Sequence, residues 1–300
     1  MTTTQILNPP LSAPSGSNPR NRRWRMRRHA NTLFFHSSSI VISAFWFFPI
    51  ALVILTSFRS LGDIFQNGVG SIPGSGLVIT NYADAWTEAG MFQAMMNSFI
   101  ITIPVVLLSL GLSSFAAFAL SRYRIRFRRT LLLAMLAGNL LPVQLMLIPY
   151  VRISEGLGIF DRFVTVIAVQ TALGLGFYTF VLYGFMRAIP FELQDAASID
   201  GAGPLRIFFQ IVLPLCRPAL AALGALAFTW IFNDLLMSIT LLRTDDKFPV
   251  TAAIVSLQGE FSAQWNLIAA ATVIAAIPCV IVFLIFQRSF IGGLALGAVK

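Results

Sequence analysis

Long apolar runs alternate with polar joints along this 300-residue chain. Six runs, at 34–57, 95–119, 131–153, 164–186, 217–241 and 267–288, are long enough to cross ~30 Å of hydrocarbon as helices rising ~1.5 Å per residue. Between the fourth and fifth runs lies a polar segment at about 187–216, punctuated by Gly and Pro. Residues 1–30 are rich in Pro, Ser, Asn and Arg, lack apolar periodicity and read as a disordered basic tail. The apolar run behind them is too long for a signal peptide and lacks a small-residue cleavage pattern, so it reads as a retained helix. The pattern predicts an all-α integral membrane protein: a tail over 1–30, then a six-helix transmembrane domain over 31–300.

Composition agrees. Hydrophobic residues make up 57% of the chain and charged residues 11%, against roughly 25% charged in soluble domains. The net charge of +9 could suggest nucleic acid, but its distribution argues otherwise. Arg20, Arg22, Arg23, Arg25, Arg27 and Arg28 form one cluster beside an apolar run, and Arg122, Arg124, Arg126, Arg128 and Arg129 form another. No nucleic-acid-binding motif accompanies them, and none is expected as a partner. With the tail, 120–130, 187–217 and 288–300 on one side, that side holds 16 Lys/Arg and 3 Asp/Glu, while the opposite joints hold 5 and 8. The positive-inside rule then puts both termini in the cytoplasm. Two cysteines, Cys216 and Cys279, and two histidines offer neither a plausible disulfide nor a zinc site.

The polar segment has helix punctuation. Pro190 suits the first turn of a short helix, Glu192 lies near its positive end, and Gly201 after Asp200 can supply the left-handed residue that ends it. Pro204 can start a second helix and Pro214 marks its end. Leu193, Ala196, Ala197 and Asp200 recur at three- and four-residue spacing, a shallow face flanked by acids. Such a face suits either an amphipathic helix lying on the inner leaflet or the docking of a soluble partner. Interfacial helices favour Lys and Arg over acids. Small residues at four-residue spacing (Ser109, Ser113, Ala117; Ala221, Ala225; Ala271, Ala275) predict close helix packing within the bundle. Pro49, Pro104, Pro142, Pro149 and Pro278 fall in or near spans and can kink them.

The segment reads Asp195-Ala196-Ala197, three residues, Gly201, nine residues, then Ile211-x-Leu213-Pro214. That spacing resembles the EAA loop of binding-protein-dependent ABC importer permeases, with Asp195 where the family usually has Glu. Phe180 to Met186 leading to Ile189-Pro190, Asn81-Tyr82-x-x-Ala85-Trp86, Asn97-Ser98 and Phe118 to Tyr123 are similar to landmarks of the carbohydrate-uptake, MalG-like branch. So is the ending Gly293 to Lys300. The resemblance covers residues ~40–300 and implies a permease subunit of an ATP-driven importer for a sugar or sugar derivative, working by alternating access in the bacterial inner membrane. It implies as partners a second permease subunit, an ABC ATPase dimer and an extracytoplasmic solute-binding protein. It also implies an ATPase-coupling set of Glu192, Asp195, Ala196, Ala197, Asp200, Gly201, Ile211, Leu213 and Pro214.

No catalytic machinery is visible. The chain's two lysines, Lys247 and Lys300, follow no Walker A pattern. No cofactor is expected on this chain; ATP and Mg²⁺ would be used by the partner ATPase. For a translocation path the candidates are polar groups in the spans: Asn97, Asn139, Gln144, Trp230, Asn233 and Asp234. Asp234 is the only acid within a predicted span, where charges usually face an interior or cavity, although its position near the outer end also allows exposure to outer water. Two other readings remain: an ABC permease for a non-sugar solute, and an ion-coupled secondary transporter, which would need more intramembrane ionisable groups than Asp234.

Overall fold

The computed structural model describes residues 19–68, 70, 71, 74, 76–259 and 263–298. Residues 1–18 of the expected tail and the last two residues of the expected MalG-like ending lie outside the described residues. The chain divides into two units, Met1–Val53 and Ile54–Lys300, each taken by itself. In the first unit the backbone is already helical from Pro19, inside the stretch expected to be unstructured. That helix, α1 (Pro19–Ser57), is long and apolar enough from Phe34 onward to cross a membrane, despite the polar His36 to Ser39, and carries Pro49 in its interior.

The second unit contains α2 (Leu61–Asn67), α3 (Thr80–Glu88), α4 (Met91–Arg122), α5 (Arg128–Gly138), a 3-10 turn (Val143–Met146) and α6 (Leu147–Gly156). It continues with α7 (Phe163–Ala188), α8 (Glu192–Ile199), α9 (Pro204–Ile207), a π turn (Phe208–Val212), α10 (Leu213–Leu215) and α11 (Arg217–Phe232). It closes with α12 (Leu236–Leu241), a 3-10 turn (Asp245–Lys247), α13 (Val250–Ser256) and α14 (Trp265–Ala298). No strand occurs among the described residues.

Among the described residues, four helices are long and apolar enough to cross a membrane: Phe34–Ser57, Met91–Arg122, Phe163–Ala188 and Trp265–Ser289. Two bent pairs also pass on length and composition, Arg128–Gly138 with Val143–Gly156 (88°) and Pro204–Leu215 with Arg217–Phe232 (74°). Counting each pair once gives six.

Two expected spans are therefore not straight. The run 131–153 breaks after Gly138. Pro142 brings no N–H to the ladder, and its ring disfavours a helical Leu141. The run 217–241 stops at Phe232 because Asn233 and Asp234 offer the backbone competing partners. The Asn233 amide donates to the Thr229 carbonyl at 2.8 Å, finishing α11, and the Asp234 carboxylate accepts the Ser238 N–H at 3.2 Å, at the start of α12.

The core forms where α4 packs along α7 and α11 packs against α4, α7 and α14. Ser109, Ser113 and Ala117 are fully buried, and the Ser113 hydroxyl donates to the Leu175 carbonyl of α7 at 3.3 Å. The small-residue stripe is thus a helix-packing seam. On the other side of α7, a Cβ at Gly176 would lie 2.3 Å from the Met135 carbonyl oxygen of α5. Glycine is what lets α5 close on α7. Among the six spans or bent pairs, α7 is the one without proline.

Candidate functional site

The polar segment follows directly from α7. Ile189, Pro190 and Phe191 lead into α8, whose first residue is Glu192, so Pro190 precedes the helix rather than opening it. The Phe191 carbonyl accepts the N–H groups of Gln194 (2.9 Å) and Asp195 (3.0 Å). At the far end Gly201 has φ +79°, its N–H donates to the Ser198 carbonyl (3.1 Å), and the Ala202 N–H donates to the Ala197 carbonyl (2.9 Å). This is the paired bonding of a Schellman cap, with Ala197 and Ala202 packed together onto the core. The expected left-handed stop at Gly201 is present.

Burial sorts the expected face. Glu192, Leu193, Asp195, Ala196, Ile199 and Asp200 are exposed, Ile199 by 87%. Ala197 is half-buried and faces its own bundle, so the expected four-residue face is narrower than its spacing implied. Ile211, Leu213 and Pro214 are half-buried. Ahead of Pro214 the chain forms the π turn 208–212, in which the Leu213 N–H reaches back to Phe208. The widened turn makes room for a proline ring that cannot sit in a regular α-helix. The helix ends at Leu215, Cys216 turns the chain, and Pro218 lies in the first turn of α11.

Gly201→Val tests the cap. Nothing lies within 4 Å of a Cβ there, so the cost is purely that of a β-branched residue at positive φ, about 1–2 kcal/mol. Hydrogen exchange at Gly201 and Ala202 should accelerate about tenfold, while Gly203→Ala, at φ −72° and also unobstructed, should leave it unchanged. Unaltered exchange in Gly201→Val would rule out the cap as the element that ends α8.

The opposite end of α7 carries a second cluster. Asp161, itself at φ +58°, sits two residues before α7. Its Oδ1 accepts the N–H groups of Arg243 (2.8 Å) and Thr244 (3.2 Å). Its Oδ2 accepts the Thr244 hydroxyl and the Lys247 ammonium, the latter at 2.8 Å. The Arg243 N–H above all, then Lys247 and Thr244, hold the Asp161 carboxyl well below the usual carboxylate range. The same joint is tied from α4. The Asn97 amide donates to the carbonyls of Asp246 (2.7 Å) and Phe248 (3.1 Å), and the Ser98 hydroxyl accepts the Val250 N–H at the start of α13 (2.9 Å). Nearby in sequence, Asn81 donates to the carbonyls of Ser57 and Arg59, and Arg59 is fully buried against Asp63 at 2.6 Å. The Asn81 and Asn97-Ser98 landmarks are therefore anchors of loops and helix ends.

The expected path residues do not converge. Asn97 is 1% exposed with its amide committed to the 242–249 joint, so it holds a loop rather than lining a path. Asn139 is exposed and donates to the Met135 carbonyl of its own helix, and Gln144 is half-buried in the 3-10 turn. Trp230 is 71% exposed. Asn233 caps α11. Asp234 faces α7, where the Gln170 amide donates to its Oδ2 at 3.1 Å. No hydrogen bond among the described residues joins any two of the six. Gln170, Asp161 and Arg122 were not among the site residues expected from sequence. A lone amide in the apolar run of α7, a lone acid at its start and the first arginine of a basic cluster were the available signals.

The architecture is that of a helical membrane permease: membrane-length helices, two of them bent, joined by a capped polar segment on one side and tied loops on the other. The family model for the binding-protein-dependent transport system inner membrane component matches residues 20–294, and the chain belongs to that family. The chain is 32% identical to the osmoprotective compounds uptake permease protein GgtD of Synechocystis sp., over 96% of this chain and 99% of that one. It is 33% identical to the arabinooligosaccharides transport system permease protein AraQ of Halalkalibacterium halodurans, over 84% and 91%. The fold matches a chain of a bacterial ABC transporter involved in alginate import, with TM-score 0.73, 22% identity, and coverage of 92% of this chain and 99% of that chain. The protein is thus the membrane-spanning permease subunit of an ABC importer, resident in the inner membrane and not itself an enzyme.

Proposed function

We propose that this permease imports a sugar or sugar derivative, and that α8 to α10 are the docking segment for an ABC ATPase. The exposed, acid-flanked face of α8, capped at Gly201 and carried on the end of α7, is the observation that bears the second half. The sugar assignment is supported by the names of relatives, which include permeases for arabinooligosaccharides, diacetylchitobiose and melibiose/raffinose/stachyose. A non-sugar solute is the second reading, favoured by the relative named for osmoprotective compounds.

In this reading the Arg-rich joints and the docking segment face the cytoplasm, and the Asp161 joint faces outward, where a solute-binding protein would deliver its cargo. A second permease subunit completes the pathway, and ATP with Mg²⁺ is handled by the paired ATPases. Closure of the ATPases moves α8, the bundle rocks, and the path opens alternately to each side. Asp234 with Gln170, between α7 and the α11–α12 break, supplies polar groups beside that path.

The test is reconstitution in vesicles. Solute uptake should require the ATPase, the binding protein and ATP. The double variant Glu192→Lys, Asp195→Lys should lower ATPase retention on purified permease at least tenfold. Uptake by this chain alone, driven by an ion gradient, would overturn the importer mechanism; full ATPase retention in the double variant would overturn the docking assignment.

A further inference from the structure

Arg122, the last residue of α4, is 8% exposed and pairs with no carboxylate among the described residues. Instead its guanidinium donates to two main-chain carbonyls where α7 ends, Met186 (Nη2, 2.7 Å) and Ile189 (Nη1, 3.1 Å). The negative end of a helix dipole suits a cation, and the planar fork matches two adjacent acceptors. The same guanidinium lies 4.7 Å from the centroid of the Phe191 ring, within cation–π range. Phe191 is not an incidental neighbour. Its own carbonyl takes the first two N–H bonds of α8, so ring and helix start move together. One side chain thus gathers the end of α4, the end of α7 and the start of α8.

Little else holds α8. None of its residues is fully buried, and it packs inward mainly through Ala197. A cap serving α7 alone would need only the two carbonyls. The ring contact extends the grip past the end of α7, across Pro190, to the next helix.

We propose that Arg122 is a positioning residue for the docking segment, locking the start of α8 to the ends of both α4 and α7 so that displacement of α8 is passed to two membrane helices rather than one. The proposal rests on the reading of α8 as the ATPase-docking helix. A lysine could keep the charge but not the fork or the stacking, so Arg122→Lys is informative beside Arg122→Gln.

The test is hydrogen exchange on the reconstituted importer, nucleotide-free and trapped with ATP, Mg²⁺ and vanadate. In the unaltered complex, 190–203 should be protected when the ATPase binds, and exchange at 157–165 and 241–250 should change on trapping. In Arg122→Gln, protection of 190–203 by the ATPase should persist, while the trapping-induced change at 157–165 and 241–250 should shrink at least fivefold. Arg122→Lys should shrink it in the same direction, and Phe191→Leu, which removes only the ring, should do so more weakly. An undiminished change in both Arg122 variants overturns the proposal. So does loss of ATPase protection in both, which would make Arg122 a folding residue only. Should Arg122→Gln fail to insert, the lysine and Phe191 variants carry the same readout. Absence of ATPase protection at 190–203 in the unaltered complex would instead overturn the docking reading.

Discussion

Gly176→Ala should destabilise the permease by about 1–3 kcal/mol, the usual cost of overpacking, and Gly176→Val by more. The added Cβ would lie 2.3 Å from the Met135 carbonyl oxygen, 2.4 Å from the Asn139 Nδ2 and 3.0 Å from the Met135 carbonyl carbon. The Asn139 amide can rotate away. The Met135 carbonyl belongs to the α5 backbone and cannot, so α5 must slide off α7. Since α5 is already one arm of a pair bent by 88°, it has few other contacts to keep it in register. Gly184→Ala on the same helix, with nothing within 4 Å of its Cβ, is the matched control. In detergent the thermal midpoint should fall by about 5 °C for Gly176→Ala and stay level for Gly184→Ala. Equal midpoints for the two alanine variants would refute the close-approach argument.

Asp161→Ala should free the joint between α12 and α13. The substitution leaves two backbone N–H groups, a hydroxyl and an ammonium without their shared acceptor. Hydrogen bonds to charged groups are worth about 1.5–3 kcal/mol each in protected settings, but this carboxylate is about a quarter exposed, so the sum is well below four such bonds. Exchange at Arg243 and Thr244 should rise at least tenfold. Lys247→Met should have a smaller effect, since it removes one donor and leaves the backbone bonds. The sign with pH is fixed: the folded pKa is depressed, so the stabilisation is present above the unfolded value near 4 and is lost only as pH falls through the lower folded value. Protection at 243 and 244 should therefore be flat between pH 7 and 5. A loss of protection across that interval would contradict the assigned hydrogen bonds.

Hydropathy located the membrane runs well because it depends only on how long each apolar stretch is. It could not distinguish a straight span from one broken at Pro142 or split at Asn233-Asp234, since one or two residues barely alter a window average yet decide the local backbone. The Gly201 stop was legible because a left-handed residue after a short helix is a local requirement. The inward turn of Ala197 was not, because spacing fixes which residues share a face but not which face meets the bundle. Asn97 looked like a path residue for the same reason that Arg122 and Gln170 went unnoticed. Their anchoring partners lie from 64 to 151 positions away in the chain, and only the fold brings them together.

The absence of proline from α7 has a mechanical consequence. At ~1.5 Å per residue its 26 residues form a rod of ~39 Å, with the Asp161 cluster at one tip and the Arg122 contacts at the other. A helix with no proline hinge behaves as a lever. Tilting it by ~5° about its midpoint swings each tip by ~1.7 Å in opposite directions. That swing exceeds the tolerance of a 2.8 Å hydrogen bond, so a small rotation driven at one tip is enough to undo the bonds at the other.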